Sequence, residues 1–292
     1  MTVLIVGSTG MLGQALVKEA VTRNVSAVGL ARRGAELSCD VADATILATV
    51  LDAVRPQVIV NAAALTELLE CERNPEAAYL VNARCVAVLA EYAQKSRSYL
   101  IQVSTDHYYT GDGASLHSED APVRLLNEYA RTKYAGEHFA LTAPNSLVIR
   151  TNIVGFRGTT DKPTFVEWVL GALKRREALT LFDDFFTSSI DVMTFSSAVF
   201  DLLQLRPVGI LNVASGDVVS KKTFIEAFAE RFDFCLEGDR VASVKMLGGV
   251  CRAESLGLDV SRAEALLGYR LPCLPEVISH LADAYQEQAN AI

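Results

Sequence analysis

Tyr129 and Lys133 stand at i and i+4 in Tyr129-Ala-Arg-Thr-Lys133, a spacing that puts both side chains on one face of a helix. An ammonium held beside a phenol favours the ionised phenol by Coulomb attraction, and so draws its pKa, ordinarily about 10, toward working pH. Such a tyrosine can donate a proton. Alone, the spacing also suits an ordinary surface pair, and it gains weight from what lies upstream. Val103-Ser104-Thr105-Asp106 closes an apolar run, placing the Thr105 hydroxyl at the carboxyl end of a strand, where open α/β sheets bind ligands. From there Thr105 can hydrogen-bond a substrate carbonyl.

A third feature lies at the amino end. Val6-Gly7-Ser8-Thr9-Gly10-Met11-Leu12-Gly13 has G-x-x-G-x-x-G spacing between the first apolar run and the first helical stretch. Glycines there permit a tight turn, let backbone approach a pyrophosphate and let the helix pack close to the sheet, while N–H groups at the helix start face the anion. The position implies dinucleotide binding. About 20 residues on, where an acid would accept from a ribose 2′-hydroxyl, stand Arg32 and Arg33. Guanidinium groups form bidentate charge-assisted bonds with a 2′-phosphate, so NADPH is the expected cofactor, with NADH as the alternative. Asp40 is placed either to accept from the adenine amino group or to cap the helix that starts near Ala44.

The elements that must position these groups alternate. Apolar runs at Val3–Val6, Ala27–Ala31, Val58–Val60, Leu100–Val103, Leu147–Ile149 and Ile210–Val213 are separated by helical patterns that include Met11–Thr22, Ala44–Val54, Pro75–Gln94 and Tyr129–Leu141. Alternation of this kind predicts an α/β fold, a Rossmann-type doubly wound parallel sheet with right-handed crossovers. After Arg150 the pattern loosens at Gly155, Gly158 and Pro163, then gives helical stretches at Phe165–Arg176 and Lys221–Phe232. The expected organisation is a dinucleotide-binding domain over 1–155, with a return strand near 209–213, and a smaller, interleaved substrate-binding lobe over 156–292.

Composition limits the partners. The 292 residues are 50% hydrophobic and 21% charged, as in ordinary globular proteins, and the net charge of −8 offers no field for a nucleic acid or an anionic membrane. Cys39, Cys71, Cys85, Cys235, Cys251 and Cys273 form no C-x-x-C, and the histidines show no ligand spacing, so no metal site is expected. A strand begins at once with no cationic segment before it, and no apolar run approaches the roughly 18 residues of a membrane span. The reading is of reduced thiols in a cytoplasmic protein.

The glycine turn, the hydroxyl at the end of the fourth apolar run and the Tyr129–Lys133 pair together resemble the short-chain dehydrogenase/reductase family over most of the chain. More narrowly the chain is similar to the extended branch that acts on nucleotide-sugars, and within it to the dTDP-4-dehydrorhamnose reductase group. Asn61-Ala62-Ala63-Ala64, Glu70-Cys-Glu72-Arg-Asn-Pro75 with Val81-Asn82, Ser104-Thr105-Asp106-His-Tyr-Tyr-Thr-Gly111 and Arg150-Thr151 carry that similarity. The resemblance implies hydride transfer from a nicotinamide to a 4-keto carbon, with Tyr129 as proton donor, Thr105 on the same oxygen and Lys133 on the nicotinamide ribose. It implies cofactor contacts at Gly7, Thr9, Gly10, Met11, Leu12, Gly13, Arg32, Arg33, Asp40, Val41, Ala62, Ala63, Ala64, Asn82 and Lys133. A nucleotide-linked 4-keto-6-deoxy sugar would be the substrate, and a homodimer the assembly.

Departures from the group's pattern bear on the substrate. Asn152-Ile153 follows Arg150-Thr151 where a tryptophan is common nearby, and Leu65 replaces a histidine after the alanines. Asp106-His107 follows Thr105 where dehydratases carry Asp-Glu, which argues against dehydration. His107 is expected to line a pocket, though it can titrate near neutrality. Asp183-Asp184 reads as a solvated loop and Trp168 as core, with Phe165 and Leu173. Arg150, Arg157 or the Lys174-Arg175-Arg176 cluster can each reach a diphosphate. Two rivals stand beside the reductase: a non-catalytic cofactor-binding regulatory subunit, such as the one paired with methionine adenosyltransferase, and a nucleotide-sugar epimerase.

Overall fold

Strands that read as unbroken apolar runs must be covered on both faces. In the computed structural model, which describes residues 1–158 and 162–290, five of them are β1 (Thr2–Val6), β2 (Ser26–Ala31), β4 (Val58–Asn61), β5 (Tyr99–Val103) and β6 (Ser146–Arg150), and a two-residue edge strand that the sequence reading did not name, β3 (Leu37–Ser38), lies between β2 and β4 in the chain. With the return strand Gly209–Asn212 they form one seven-stranded parallel sheet, ordered return strand, β6, β5, β4, β1, β2, β3. The fold is Rossmann-type α/β, as the alternation implies. β1 pairs with β2 on one side and β4 on the other, so the winding reverses at their carboxyl ends. That reversal is where open sheets form a ligand crevice.

Alternate residues along each strand enter opposite cores. Val3, Ile5, Val58, Val60, Ile101 and Ile149 face one layer, where α1 (Met11–Thr22) and the Val192–Leu205 helix pack through Leu16, Phe195 and Val199. Leu4, Val6, Ile59, Leu100 and Val148 face the other, against α2 (Ala44–Val54) and the Cys85–Ser96 helix through Leu47, Leu51, Val86 and Leu89. Beyond the sheet, three small sheets pair Ile153–Val154 with Ile190–Asp191, Thr180–Phe182 with Arg240–Ala242, and Phe186–Thr187 with both Val219–Ser220 and Ser255–Leu256. A separate core of Val166, Leu170, Phe224, Phe228 and Leu281 gathers the helices around them.

The elements differ from the sequence expectation at further places, among them the following. The Pro75–Gln94 stretch is two α-helices, Pro75–Tyr79 and Cys85–Ser96, joined by a π-helical turn at Leu80–Arg84. The Val192–Leu205 helix has no counterpart among the predicted helices, because burial of Val192, Phe195, Ser196, Ala198, Val199, Phe200, Leu202 and Leu203 leaves only a narrow polar stripe. Trp168 is 46% exposed rather than core. The buried stripe of its helix runs through Val166, Val169, Leu170 and Leu173 instead. No helix among the described residues is long and apolar enough to cross a membrane.

Candidate active site

The glycine turn closes in a way that other residues would prevent. Gly7 has φ +83°, and a Cβ there would stand 2.7 Å from the amide nitrogen of Ala63; a Cβ on Gly13 would stand 2.1 Å from the Gly7 carbonyl oxygen. Gly7 N–H donates to Leu30 O at 2.7 Å and Gly10 N–H to Gly7 O at 3.0 Å, locking the turn to β2. Gly10 is the N-cap of α1 and brings no side-chain bond. The first-turn N–H groups of Met11, Leu12 and Gly13 are therefore left for an anion. Thr9 is exposed at the lip of the turn.

Around this cradle stand most of the expected cofactor residues. Arg32 and Arg33 extend exposed from the end of β2, and Ala62, Ala63 and Ala64 leave β4 half-buried beside Gly7. Asn61 fixes that exit by donating to Gln102 Oε1 at 2.7 Å and accepting from Ala63 N–H at 3.2 Å. Val41 is buried. Asp40 is exposed, and its carboxylate accepts from Ala42 N–H at 3.0 Å, within its own turn. The cap of α2 is Asp43, which accepts from Thr45 and Ile46 N–H, so the capping alternative for Asp40 is overturned. A donor set of two guanidinium groups, free helix N–H groups and a glycine cradle fits a phosphorylated dinucleotide.

Thr105, Tyr129 and Lys133 are all buried at the carboxyl end of β5. The Glu128–Ala140 helix carries the last two and is capped by Asn127, whose side chain accepts from Ala130 N–H. Its approach depends on Gly136: a Cβ there would stand 2.3 Å from the carbonyl oxygen of Asn82, in the π-helical turn. Asn82 in turn accepts from Leu65 N–H at 2.8 Å and donates to Leu65 O at 3.0 Å and Thr132 Oγ1 at 3.1 Å. It is thus a buried brace between the β4 exit and the Glu128–Ala140 helix. π-Turns of this kind cluster at functional sites.

The electrostatics differ from the expectation in one respect. Burial pushes the Tyr129 phenol well above its ordinary value; hydrogen bonding to Thr105 opposes this, while the charges of Asp106 and Cys71 add to the rise. Lys133 is not among these influences. Its Nζ is turned to the main-chain oxygen of Val103, 2.7 Å away, and burial pulls its own pKa down to about 8. The expected depression of the phenol by its ammonium is therefore absent.

Two further groups flank Thr105. Burial raises the Asp106 carboxyl to about 7 against the hydrogen bond from Asn152, whose Nδ2 donates to Asp106 Oδ2 at 2.7 Å. Asn152, one of the departures in the sequence, thus serves the site directly. His107 packs edge-on to the Tyr129 ring at 5.6 Å between centroids, and burial lowers it to about 4. It is neutral near pH 7, contrary to the option that it titrates there. Among the described residues His107 Nδ1 and Thr151 Oγ1 are buried and find no hydrogen-bond partner.

Of the other candidates, Arg150, Lys174 and Arg175 are engaged elsewhere, whereas Arg157 Nε is buried without a partner among the described residues. Arg150 is bound to Glu137 through Nε at 3.1 Å and Nη2 at 2.8 Å, and donates from Nη1 to Tyr109 Oη and Glu119 O. Lys174 lies over the Tyr285 ring and Arg175 pairs with Glu177. Asp184 is no free loop acid: it accepts from Ser243 Oγ and Val244 N–H. Among the described residues no cluster of three His, Cys, Asp or Glu side chains is placed to hold a metal.

Comparison with known proteins places this arrangement. The probable low-salt glycan biosynthesis reductase Agl14 of Haloferax volcanii is 26% identical over 99% of this chain and 100% of its own length. The dTDP-4-dehydrorhamnose reductase of Aggregatibacter actinomycetemcomitans is 34% identical over 62% of this chain and 60% of its own length. The crystal structure of dTDP-4-dehydrorhamnose reductase from Bacillus anthracis in complex with NADP superposes with a TM-score of 0.86, at 22% identity, over 96% of this chain and 98% of that one. The family profile described as RmlD substrate binding domain matches residues 1–285, and the chain belongs to that family.

Proposed function

We propose that the protein is an NADPH-dependent reductase of a nucleotide-linked 4-keto-6-deoxy sugar. The observation that carries this reading is the convergence of Thr105, Tyr129 and Lys133 at the carboxyl end of β5, in a sheet whose crevice begins at the Gly7 cradle. Relatives named dTDP-4-dehydrorhamnose reductase, one solved with NADP, support the substrate and cofactor class. Bound in the crevice, NADPH would supply a hydride to the keto carbon.

The glycine turn and the start of α1 hold the pyrophosphate, and Arg32 and Arg33 take the 2′-phosphate. Thr105 orients the carbonyl by donating to its oxygen. Tyr129 gives that oxygen its proton, and burial keeps the phenol protonated until charge develops beside it. Lys133 positions the nicotinamide ribose and contributes positive charge where the oxyanion grows. The elements gathered on the core of Val166, Leu170, Phe224, Phe228 and Leu281 form the substrate lobe, the return strand and the Val192–Leu205 helix belonging to the sheet domain, and the lobe's contacts close over the sugar. The test is direct: purified protein mixed with NADPH and a dTDP-linked 4-keto-6-deoxy sugar consumes the nicotinamide absorbance and yields the reduced nucleotide-sugar by mass. No consumption with that sugar, or with its uridine and guanosine counterparts, overturns the reading.

A further inference from the structure

Thr105 and Tyr129 come from different segments, yet in the reductase both must address one carbonyl oxygen, so the spacing between their segments has to be held. Lys133 and Gly136 fix the middle of the Glu128–Ala140 helix against Val103 and Asn82. Tyr129 lies in the first turn, and other bonds hold that end. On one side Glu72 Oε1 accepts from Glu128 N–H at 2.8 Å. On the other stands Asn127, 1% exposed. Its Oδ1 accepts from Ala130 N–H at 2.8 Å, and its Nδ2 donates to the carbonyl oxygen of Cys251 at 2.9 Å.

The second bond exceeds what a helix cap requires. A cap needs only an acceptor, which Asp and Ser supply as well as Asn. The amide brings an acceptor and a donor at once. Cys251 opens a stretch that runs through Glu254 into the Ser255–Leu256 strand, and the same stretch grips the chain beyond Thr105. Glu254 accepts from Gly111 N–H at 2.8 Å and from Thr110 Oγ1. Ser255 Oγ accepts from Gly113 N–H at 3.0 Å, and Ser255 N–H donates to Tyr109 O at 3.3 Å. Glu254 O accepts from Phe186 N–H at 2.8 Å, which seats the stretch on its small sheet. One short segment is thus bonded both to the loop that follows Thr105 and, through Asn127, to the start of the helix that carries Tyr129.

We propose that Asn127 is a positioning residue of the reduction: by tying the start of the Tyr129 helix to Cys251, it sets the phenol against the Thr105 loop at the spacing that a shared carbonyl oxygen requires. The inference rests on the reductase reading and deepens it. Asn127 acts through Tyr129, so its loss slows the proton transfer and leaves binding as it is. A misplacement of about 1 Å can slow a reaction by about 10²-fold.

Asn127→Asp and Asn127→Ser test this, because each keeps an oxygen to cap the helix, while the first lacks a donor and the second is one bond too short to carry it to Cys251. Single-turnover NADPH oxidation with a dTDP-linked 4-keto-6-deoxy sugar is followed in each variant, alone and combined with Tyr129→Phe. The single variants are expected to react roughly 10- to 100-fold more slowly, with the half-saturating sugar concentration and the NADPH affinity within about twofold of wild type. In the Tyr129→Phe background the same changes are expected to cost less than about threefold, because the group that Asn127 places is gone. NADPH binding shows that each variant is folded. A larger cost in that background, a loss that falls on sugar affinity instead of rate, or single variants that react within a few-fold of wild type overturns the positioning role and leaves the reductase standing. A wild type that binds NADPH but reduces none of the thymidine-, uridine- or guanosine-linked keto-sugars overturns the reductase reading and the positioning role with it.

Discussion

Lys133 donates its ammonium to the carbonyl oxygen of Val103 at 2.7 Å, tying the Glu128–Ala140 helix to the strand end that presents Thr105. The contact makes Lys133 a structural clamp as well as a charge. Lys133→Met removes one of the two donors to that buried carbonyl, the other being Gln102 Nε2 at 2.9 Å, so it is expected to cost about 0.5–1.5 kcal/mol of stability as well as most of the turnover. Urea denaturation read beside steady-state kinetics checks both. Lost activity at unchanged stability would remove the clamp.

Arg32 and Arg33 are exposed at the end of β2. Replacing both by serine is expected to weaken NADPH by about 10- to 100-fold and to leave NADH nearly unchanged, because only the 2′-phosphate gives the guanidinium groups a bidentate partner. Fluorescence titration with each cofactor gives the ratio. Equal losses for both would mean that the arginines act on the shared part of the dinucleotide.

Asp106 sets a pH dependence with a definite sign. Its carboxyl is raised to about 7 in the fold by burial, against about 3.9 in an unfolded chain. Between those values the folded protein keeps a proton that the unfolded chain has lost. Stability from this group is thus present below about pH 4 and is lost as pH rises to 7. Asp106→Asn carries no such proton, so its Tm relative to wild type is expected to climb across that interval, by on the order of 2–4 °C per kcal/mol. A constant difference from pH 4 to 8 would place the carboxyl in an ordinary environment.

Glu137 holds Arg150 and also accepts from Ser104 Oγ at 2.6 Å, behind Thr105. Glu137→Gln leaves a buried guanidinium unpaired and is expected to cost about 3–5 kcal/mol. Calorimetric unfolding measures it. A loss under about 1 kcal/mol would mean that the pair is reached by water.

Much of this architecture is legible in the chain because the constraint is local. β1, β4, β5 and β6 stand out since each must be apolar on both faces, and Gly7 and Gly13 since a Cβ at either would strike backbone. Tyr129 and Lys133 show as a spacing, but the direction of the Lys133 ammonium depends on a carbonyl thirty residues earlier. The surroundings of Lys221 are less visible still, because the rings of Phe165, Phe185 and Phe224 come from segments brought together only by the fold. Trp168 misled because hydrophobic size suggested burial, whereas its neighbours on the helix took the core face. Asp40 is placed in the sequence to cap α2, but the residue that caps it is Asp43, which stands immediately before the helix.

The central claim is that the Tyr129 hydroxyl protonates a keto-sugar oxygen. Single-turnover NADPH oxidation with a dTDP-linked 4-keto-6-deoxy sugar, in wild type and in Tyr129→Phe, tests it most directly. The expected result is a loss of about 10²- to 10⁴-fold in the rate of the phenylalanine variant, the usual contribution of a positioned acid, with NADPH affinity and Tm held near wild type. A variant that turns over within a few-fold of wild type would assign the proton to another group and remove Tyr129 from the mechanism.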